Sequence, residues 1–187
     1  GNRTFSMREN EEMNYTANNL NQYTQRTIPD GIDILGSAET NTTVTVNDLA
    51  TTRYGKYWYR ALTVTNDAAA VWQPVKVVGV YNPLGTNDPD VVSSVTGHVF
   101  VAKTPEQFSY DDDGNLLSDG RFNYTFDTEN RLLEAETLTN LPSAVPLVKA
   151  DYGYDYMFRR AGKTVYNRIS NDWSLVETRD FVYDGWN

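Results

Sequence analysis

A short turn in which an aromatic residue leads into aspartate recurs along this chain. Its copies read Tyr110-Asp111-Asp112-Asp113-Gly114-Asn115-Leu116, then Tyr124-Thr125-Phe126-Asp127-Thr128-Glu129-Asn130-Arg131-Leu132, then Tyr154-Asp155-Tyr156-Met157-Phe158-Arg159-Arg160, with a weaker copy at Tyr15-Thr16-Ala17-Asn18-Asn19-Leu20. Gly1-Asn2-Arg3 reads as the tail of a preceding copy and Tyr183-Asp184-Gly185-Trp186-Asn187 as the head of a following one, so the chain is expected to be a piece of a longer repeat protein. Repetition constrains the fold more than any other signal, because a unit this short cannot bury a core alone and must stack on its neighbours.

Each copy places an aromatic residue at the end of an alternating run, follows it with Asp, Asn and Gly, and reopens on Leu or Arg. That is hairpin chemistry. The Asp side chain accepts hydrogen bonds from backbone two residues on, and Gly or Asn supplies positive φ. Tyr110, Asp111, Gly114, Asn115, Tyr124, Asp127, Asn130, Arg131, Tyr154, Asp155 and Arg159 are therefore the residues expected to build the repeat turns. Phe122, Tyr124 and Phe126 alternate with Asn123, Thr125 and Asp127, which gives the sheet one apolar and one polar face.

Between the copies the turn signature vanishes. Residues 28–103 instead hold short β-rich runs, among them Ile32-Asp33-Ile34-Leu35-Gly36, Thr42-Thr43-Val44-Thr45-Val46-Asn47, Tyr57-Trp58-Tyr59-Arg60-Ala61-Leu62-Thr63-Val64, residues 71–80 and His98-Val99-Phe100-Val101. Breakers such as Pro29-Asp30-Gly31 and Asn82-Pro83-Leu84-Gly85-Thr86-Asn87-Asp88-Pro89-Asp90 separate them, which suggests a small antiparallel sandwich. The expected organisation is all-β: repeat strands over residues 1–27, an inserted sandwich over 28–103, and repeat hairpins over 104–187, with the termini of the insert close together. Ala68-Ala69-Ala70 is too short for an independent helix, residues 7–13 are expected to turn a hairpin, and the two prolines in residues 137–146 mark a loop.

The repeat set is similar to the YD repeats of Rhs proteins, large bacterial polypeptides related to toxin-complex shells and to teneurins. The resemblance covers roughly residues 1–27 and 105–187. It implies a spiralling β-sheet that in complete members closes into a hollow shell, and an extracellular or cell-surface location. The family's self-cleaving core follows an Asp-Pro-x-Gly type motif; Asn82-Pro83-Leu84-Gly85 has Asn in place of Asp, so no protease residue is carried over. The segment from Gly31 through the Thr-Val-Thr-Val strand to Val64 resembles bacterial immunoglobulin-like modules.

Charge and composition narrow the functional classes. Lys and Arg total 16 against 25 Asp and Glu, and the net charge of −9 argues against a nucleic-acid partner, which needs a basic footprint. With no cysteine there are no disulfides, thiolate metal sites or cysteine nucleophiles. His98 is the sole histidine, so a Ser-His-Asp triad has one route only, and a structural histidine on a strand is the expected reading. Asp111-Asp112-Asp113-Gly114 fails as an EF-hand loop, because the register that puts Gly114 at position six puts Gly120 where a bidentate Glu is required. Asp88 and Asp90 are too few for a cation site, and no carboxylate pair has a recognisable glycosidase setting. No metal, cofactor or enzymatic activity is expected.

Aromatic side chains are the stronger binding candidates. On one strand Trp58, Leu62 and Val64 share a face, and Tyr57, Tyr59 and Ala61 the other. The insert is expected to dock on the repeat sheet and cover Tyr57 and Tyr59; left exposed, they form a platform for sugar rings or a partner protein. Trp173 and Trp186 are expected as core or lining residues of the repeat sheet. The sequence thus points to a non-catalytic scaffold segment whose partners are the flanking repeats, with edge-strand dimerisation expected of the isolated piece. The alternative is a carbohydrate- or protein-binding module acting through Tyr57 and Tyr59.

Overall fold

The computed structural model describes residues 2–8, 11–83 and 88–185, and every regular element among them is a β-strand in an antiparallel sheet. The protein is all-β. Strands β1 (Phe5–Arg8), β2 (Glu11–Ala17) and β3 (Tyr23–Arg26) form a meander in which Arg8 pairs with Glu11 and Tyr15 with Arg26. The turn joining β1 to β2, where the sequence places a hairpin, lies outside the described residues.

After β3 the chain builds a two-sheet sandwich. One sheet has the order β4 (Gly31–Ser37), β8 (Tyr57–Thr63), β7 (Thr52–Tyr54); the other has the order β10 (Val91–Val101), β9 (Val71–Tyr81), β5 (Thr42–Val46), β6 (Leu49–Ala50). The core forms because alternation sends Val44 and Val46 inward from one sheet, and Trp58 and Leu62 inward from the other, with Ile32, Ile34, Val75 and Val77 packed around them. Burying each such side chain contributes about 1.5–3 kcal/mol. Gly36 faces this core, where an added Cβ would come within 2.6 Å of the Trp58 ring. Strand β10 begins at Val91, seven residues ahead of the expected His98, because pairing with β9 from Val91↔Tyr81 to Val101↔Val71 extends it through Ser93, Ser94, Thr96 and Gly97. Of the breaker read at residues 82–90, Leu84, Gly85, Thr86 and Asn87 lie outside the described residues.

The chain then returns to where it left. Strand β11 (Glu106–Gln107) pairs with β3 so that Glu106 faces Arg26 and Gln107 faces Gln25. The root of the insert is closed by hydrogen bonds from Ile28 N–H to Thr104 Oγ1 (3.0 Å), from Thr104 N–H to Asn66 O (2.9 Å) and from the buried Asn66 side-chain amide to Ala102 O (2.9 Å). Phe108 N–H still donates to Thr24 O, and from the next residue, Ser109, the chain pairs onward, so this stretch joins the first sheet to the last.

That last sheet is a seven-stranded meander: β12 (Ser109–Tyr110), β13 (Leu116–Ser118), β14 (Phe122–Phe126), β15 (Leu132–Thr137), β16 (Val148–Tyr154), β17 (Arg160–Ile169) and β18 (Asp172–Asp180). Sequence neighbours are sheet neighbours throughout. Residues 138–147 form the longest connection, and buried Thr137 holds its two ends together by donating to Val148 O and accepting from Val148 N–H, both at 3.0 Å.

The contact between sandwich and repeat sheet runs through Arg121. Its guanidinium lies over the rings of Phe100 (4.9 Å), Phe122 (5.0 Å) and Trp72 (5.8 Å), so the roots of β9 and β10 do the docking. The outer face of β8 takes no part. The expectation that docking covers Tyr57 and Tyr59 is therefore corrected: both are exposed, at 59% and 45%.

Candidate functional site

Two features concentrate the chemistry of the surface: a row of repeat turns and an aromatic sheet face. The turns share one geometry. In each, the first residue's N–H donates to the fifth residue's carbonyl, and the fourth residue's N–H donates back to the first residue's carbonyl. The pairs are Asn18 with Gln22 and Asn21, Asp111 with Asn115 and Gly114, Asp127 with Arg131 and Asn130, and Asp155 with Arg159 and Phe158. The fourth residue has positive φ every time: Asn21 62°, Gly114 90°, Asn130 59° and Phe158 62°. A three-residue hairpin loop ending in a left-handed residue requires this, and the register shifts at Thr16/Ala17, Ser109/Tyr110, Thr125/Phe126 and Gly153/Tyr154 are the accompanying bulges.

The first side chain makes the turn rigid. Asp127 Oδ1 accepts from Glu129 N–H and Arg131 N–H, both at 2.9 Å, while its Oδ2 accepts from Arg131 Nε at 2.7 Å. Asp155 repeats this set with Met157 N–H (2.8 Å), Arg159 N–H (3.0 Å) and Arg159 Nε (2.9 Å). Asp111 accepts from the N–H and the side-chain amide of Asn115 at 2.8 and 2.9 Å. Asn18 does the same work without charge, accepting from Leu20 N–H and Gln22 N–H. The copy that is weakest in sequence is thus equal to the others in structure.

These bonds favour the carboxylate form. The side-chain bond from Asn115 holds Asp111 below the ordinary carboxyl value, and the backbone bond from Arg131 does so for Asp127. Desolvation pushes Asp155 up, but the hydrogen bonds from Arg159 outweigh it and leave this carboxyl lowered as well.

The copies also interlock. Tyr110 donates its hydroxyl to Tyr23 O (2.8 Å), Tyr154 to Leu132 O (2.9 Å) and Tyr183 to Arg160 O (2.8 Å). In each case the acceptor is the first residue after an earlier turn. The fifth turn residue stacks on the same tyrosines: the Arg131 guanidinium lies 5.2 Å from the Tyr154 ring, and that of Arg159 lies 4.4 Å from the Tyr183 ring. Asn115 has no guanidinium and instead donates its side-chain amide to Asn130 Oδ1 at 2.7 Å. The equivalent aromatic residue in the Asp127 copy is Phe126, which has no hydroxyl to give.

Tyr124 is not part of its turn, which corrects its assignment as a repeat-turn residue. Two residues before Phe126, it points along the same face toward the other end of the hairpin and donates its hydroxyl to Asp119 Oδ2 at 2.7 Å. Burial, and then the bond to Asp119, push this phenol well above its ordinary value. Asp119 Oδ1 also caps Arg121 N–H and Phe122 N–H, both at 2.7 Å. Beside it, buried Glu106 pairs with Arg26 and accepts from Gly120 N–H at 3.2 Å. Spacing gave no sign of Arg26 and Glu106, which lie 80 residues apart in the chain; Asp119 bonds residues within five positions of itself, but outside the turns that the repeated motif marks.

The aromatic face lies on the outer side of the β4-β8-β7 sheet. Tyr57 pairs across to Tyr54, and Tyr59 to Leu35 and Thr52. Tyr54 and Leu35, which the sequence reading passed over, are exposed at 88% and 64%. With Asp33 these residues line a shallow depression of about 430 Å³. His98 is exposed and stacks on Trp72 at 5.2 Å, while Trp173 lies half-buried under Lys149 and Arg168. Trp186 lies outside the described residues. No group of three or more His, Cys, Asp or Glu able to hold a metal occurs among the described residues.

Two curated proteins match part of the chain: tRNA nuclease WapA of Bacillus subtilis (strain 168) and tRNA(Glu)-specific nuclease WapA of Bacillus subtilis subsp. natto (strain BEST195). Each is 36% identical over 80 residues, which is 43% of this chain and 3% of the relative. The matched stretch thus spans a small fraction of the curated relatives' length. No protein-family model matches the chain. The names of these relatives overturn two expectations: that the protein is not an enzyme, and that it has no nucleic-acid partner. The charge argument took the net charge of this sequence as a guide to its partners, and net charge alone does not exclude a nucleic-acid partner.

Proposed function

We propose that this segment is a structural scaffold, a stretch of repeat sheet carrying an inserted sandwich, within a large bacterial Rhs/YD-repeat polypeptide that is secreted or displayed at the cell surface. The nucleic-acid chemistry named for the two Bacillus relatives belongs, in this reading, to the polypeptide as a whole. The interlock between copies supports the scaffold role: each Tyr hydroxyl fastens one hairpin to the carbonyl that follows an earlier turn, so a repeat is complete only when the next is in place.

The test is made in the full-length polypeptide. Asp111→Ala, Asp127→Ala and Asp155→Ala together remove the acceptors that close the turns. Limited proteolysis is then expected to cut within residues 104–185 at protease levels the wild type resists, and small-angle scattering to show an expanded particle. A triple variant as resistant and as compact as wild type would overturn the scaffold reading.

A further inference from the structure

The geometry points to the outer face of the β4-β8-β7 sheet as a binding site for neutral oligosaccharides, formed by Tyr54, Tyr57 and Tyr59 with Leu35 beside them. The site lies apart from the repeat turns and stands or falls independently of the scaffold reading.

The placement of the rings carries this inference. Tyr57 and Tyr59 are two residues apart on β8, so they share a face about 7 Å from each other along the strand. Tyr54 stands directly across from Tyr57 on β7, and Leu35 directly across from Tyr59 on β4, which makes a compact apolar surface two strand-pairs wide. All four side chains are exposed, while their sequence neighbour Trp58 turns into the core. Tyrosine presents an apolar ring with a polar hydroxyl tip, and a sugar presents an apolar C–H face rimmed by hydroxyls, so the two match face to face and edge to edge. An apolar surface carrying a few convergent polar groups is the usual composition of a ligand site.

Local charge selects the neutral members of the class. The Arg53 guanidinium is committed to the carbonyls of Ala38, Glu39, Thr42 and Gly55 and is not presented to a ligand. The depression is lined by one acidic residue, Asp33, and one basic residue, Arg53, and the Lys56 ammonium lies over the Tyr57 ring at 5.3 Å, so no strongly acidic or basic patch is presented. A phosphate or carboxylate would find no unengaged guanidinium here, whereas a neutral sugar needs none.

The purified chain is titrated with neutral hexasaccharides of glucose and of N-acetylglucosamine, with an acidic uronic-acid hexasaccharide, and with a single-stranded RNA hexamer, following tyrosine fluorescence and NMR shifts. Tyr54→Ala, Tyr57→Ala and Tyr59→Ala are compared singly with wild type. The rings are exposed, so the variants are expected to unfold at the wild-type temperature. A neutral hexasaccharide is expected to bind wild type and to lose at least tenfold in affinity in the Tyr57→Ala and Tyr59→Ala variants. Failure of every neutral hexasaccharide to bind, binding that survives all three substitutions, or a preference for the acidic sugar or for RNA would each overturn the proposal.

Discussion

Replacing Tyr154 by Phe removes one oxygen and leaves nearly everything else in place. The ring stays on its face of the sheet, and the Arg131 guanidinium 5.2 Å away still meets an aromatic surface, so the substitution isolates the hydrogen bond to Leu132 O. A half-buried bond of this kind contributes about 1 kcal/mol net, within a range of about 0.5–1.5 kcal/mol. For a chain of this size that corresponds to a fall of about 2–4 °C in melting temperature. The structure also supplies the converse change. Phe126 occupies the same position one copy earlier, and the equivalent acceptor is the Leu116 carbonyl, so Phe126→Tyr is expected to raise stability by about 1 kcal/mol. Urea unfolding monitored by tryptophan fluorescence gives both values from the shift in midpoint at constant slope. A neutral Tyr154→Phe together with a destabilising Phe126→Tyr would refute the interlock and reduce the repeat tyrosines to packing residues.

The turn carboxylates make stability depend on acid. Folded Asp111, Asp127 and Asp155 titrate below the unfolded value of about 3.9, so their contribution is complete above that value and is lost as pH falls through the lowered folded values. The urea midpoint should be lower at pH 3 than at pH 6, and the triple Asp→Asn variant, which copies the uncharged Asn18 turn, should flatten that difference. Thr137→Val deletes both bonds to Val148 and leaves its partly buried N–H without that acceptor, with an expected loss of about 1–3 kcal/mol in the same assay. Gly36→Ala drives a methyl against the Trp58 ring and should cost about 1–3 kcal/mol, with a changed near-ultraviolet circular dichroism signal from that tryptophan.

The parts of this fold that sequence exposes are the local ones. Asp111 through Asn115 announces its hairpin because an acceptor side chain and a residue tolerant of positive φ lie within five positions of each other. Phe158 shows the limit of that signal, since a bulky residue occupies the left-handed position and is held there with its ring under the Arg131 guanidinium at 5.3 Å. The interlock was hidden for a different reason: the acceptors at Tyr23, Leu132 and Arg160 are backbone carbonyls, which no side-chain pattern marks. Tyr124 misled because a period of two places it on the same face as Phe126, and only the bond to Asp119 tells their roles apart. On the sandwich, alternation correctly assigned Trp58 and Leu62 to one face and Tyr57 and Tyr59 to the other. That the second face stays uncovered depends on where Arg121 meets Trp72 and Phe100, a contact between residues distant in the chain.

Amide hydrogen exchange on wild type and Asp155→Ala tests most directly whether the repeats sustain one another. The account predicts that protection is lost at Met157 and Arg159, whose N–H groups bond Asp155, and that the loss spreads through Tyr154 to Leu132 and the turn at Asp127, and through Arg159 toward Tyr183. Loss confined to residues 155–159, with the neighbouring hairpins as protected as before, would contradict it.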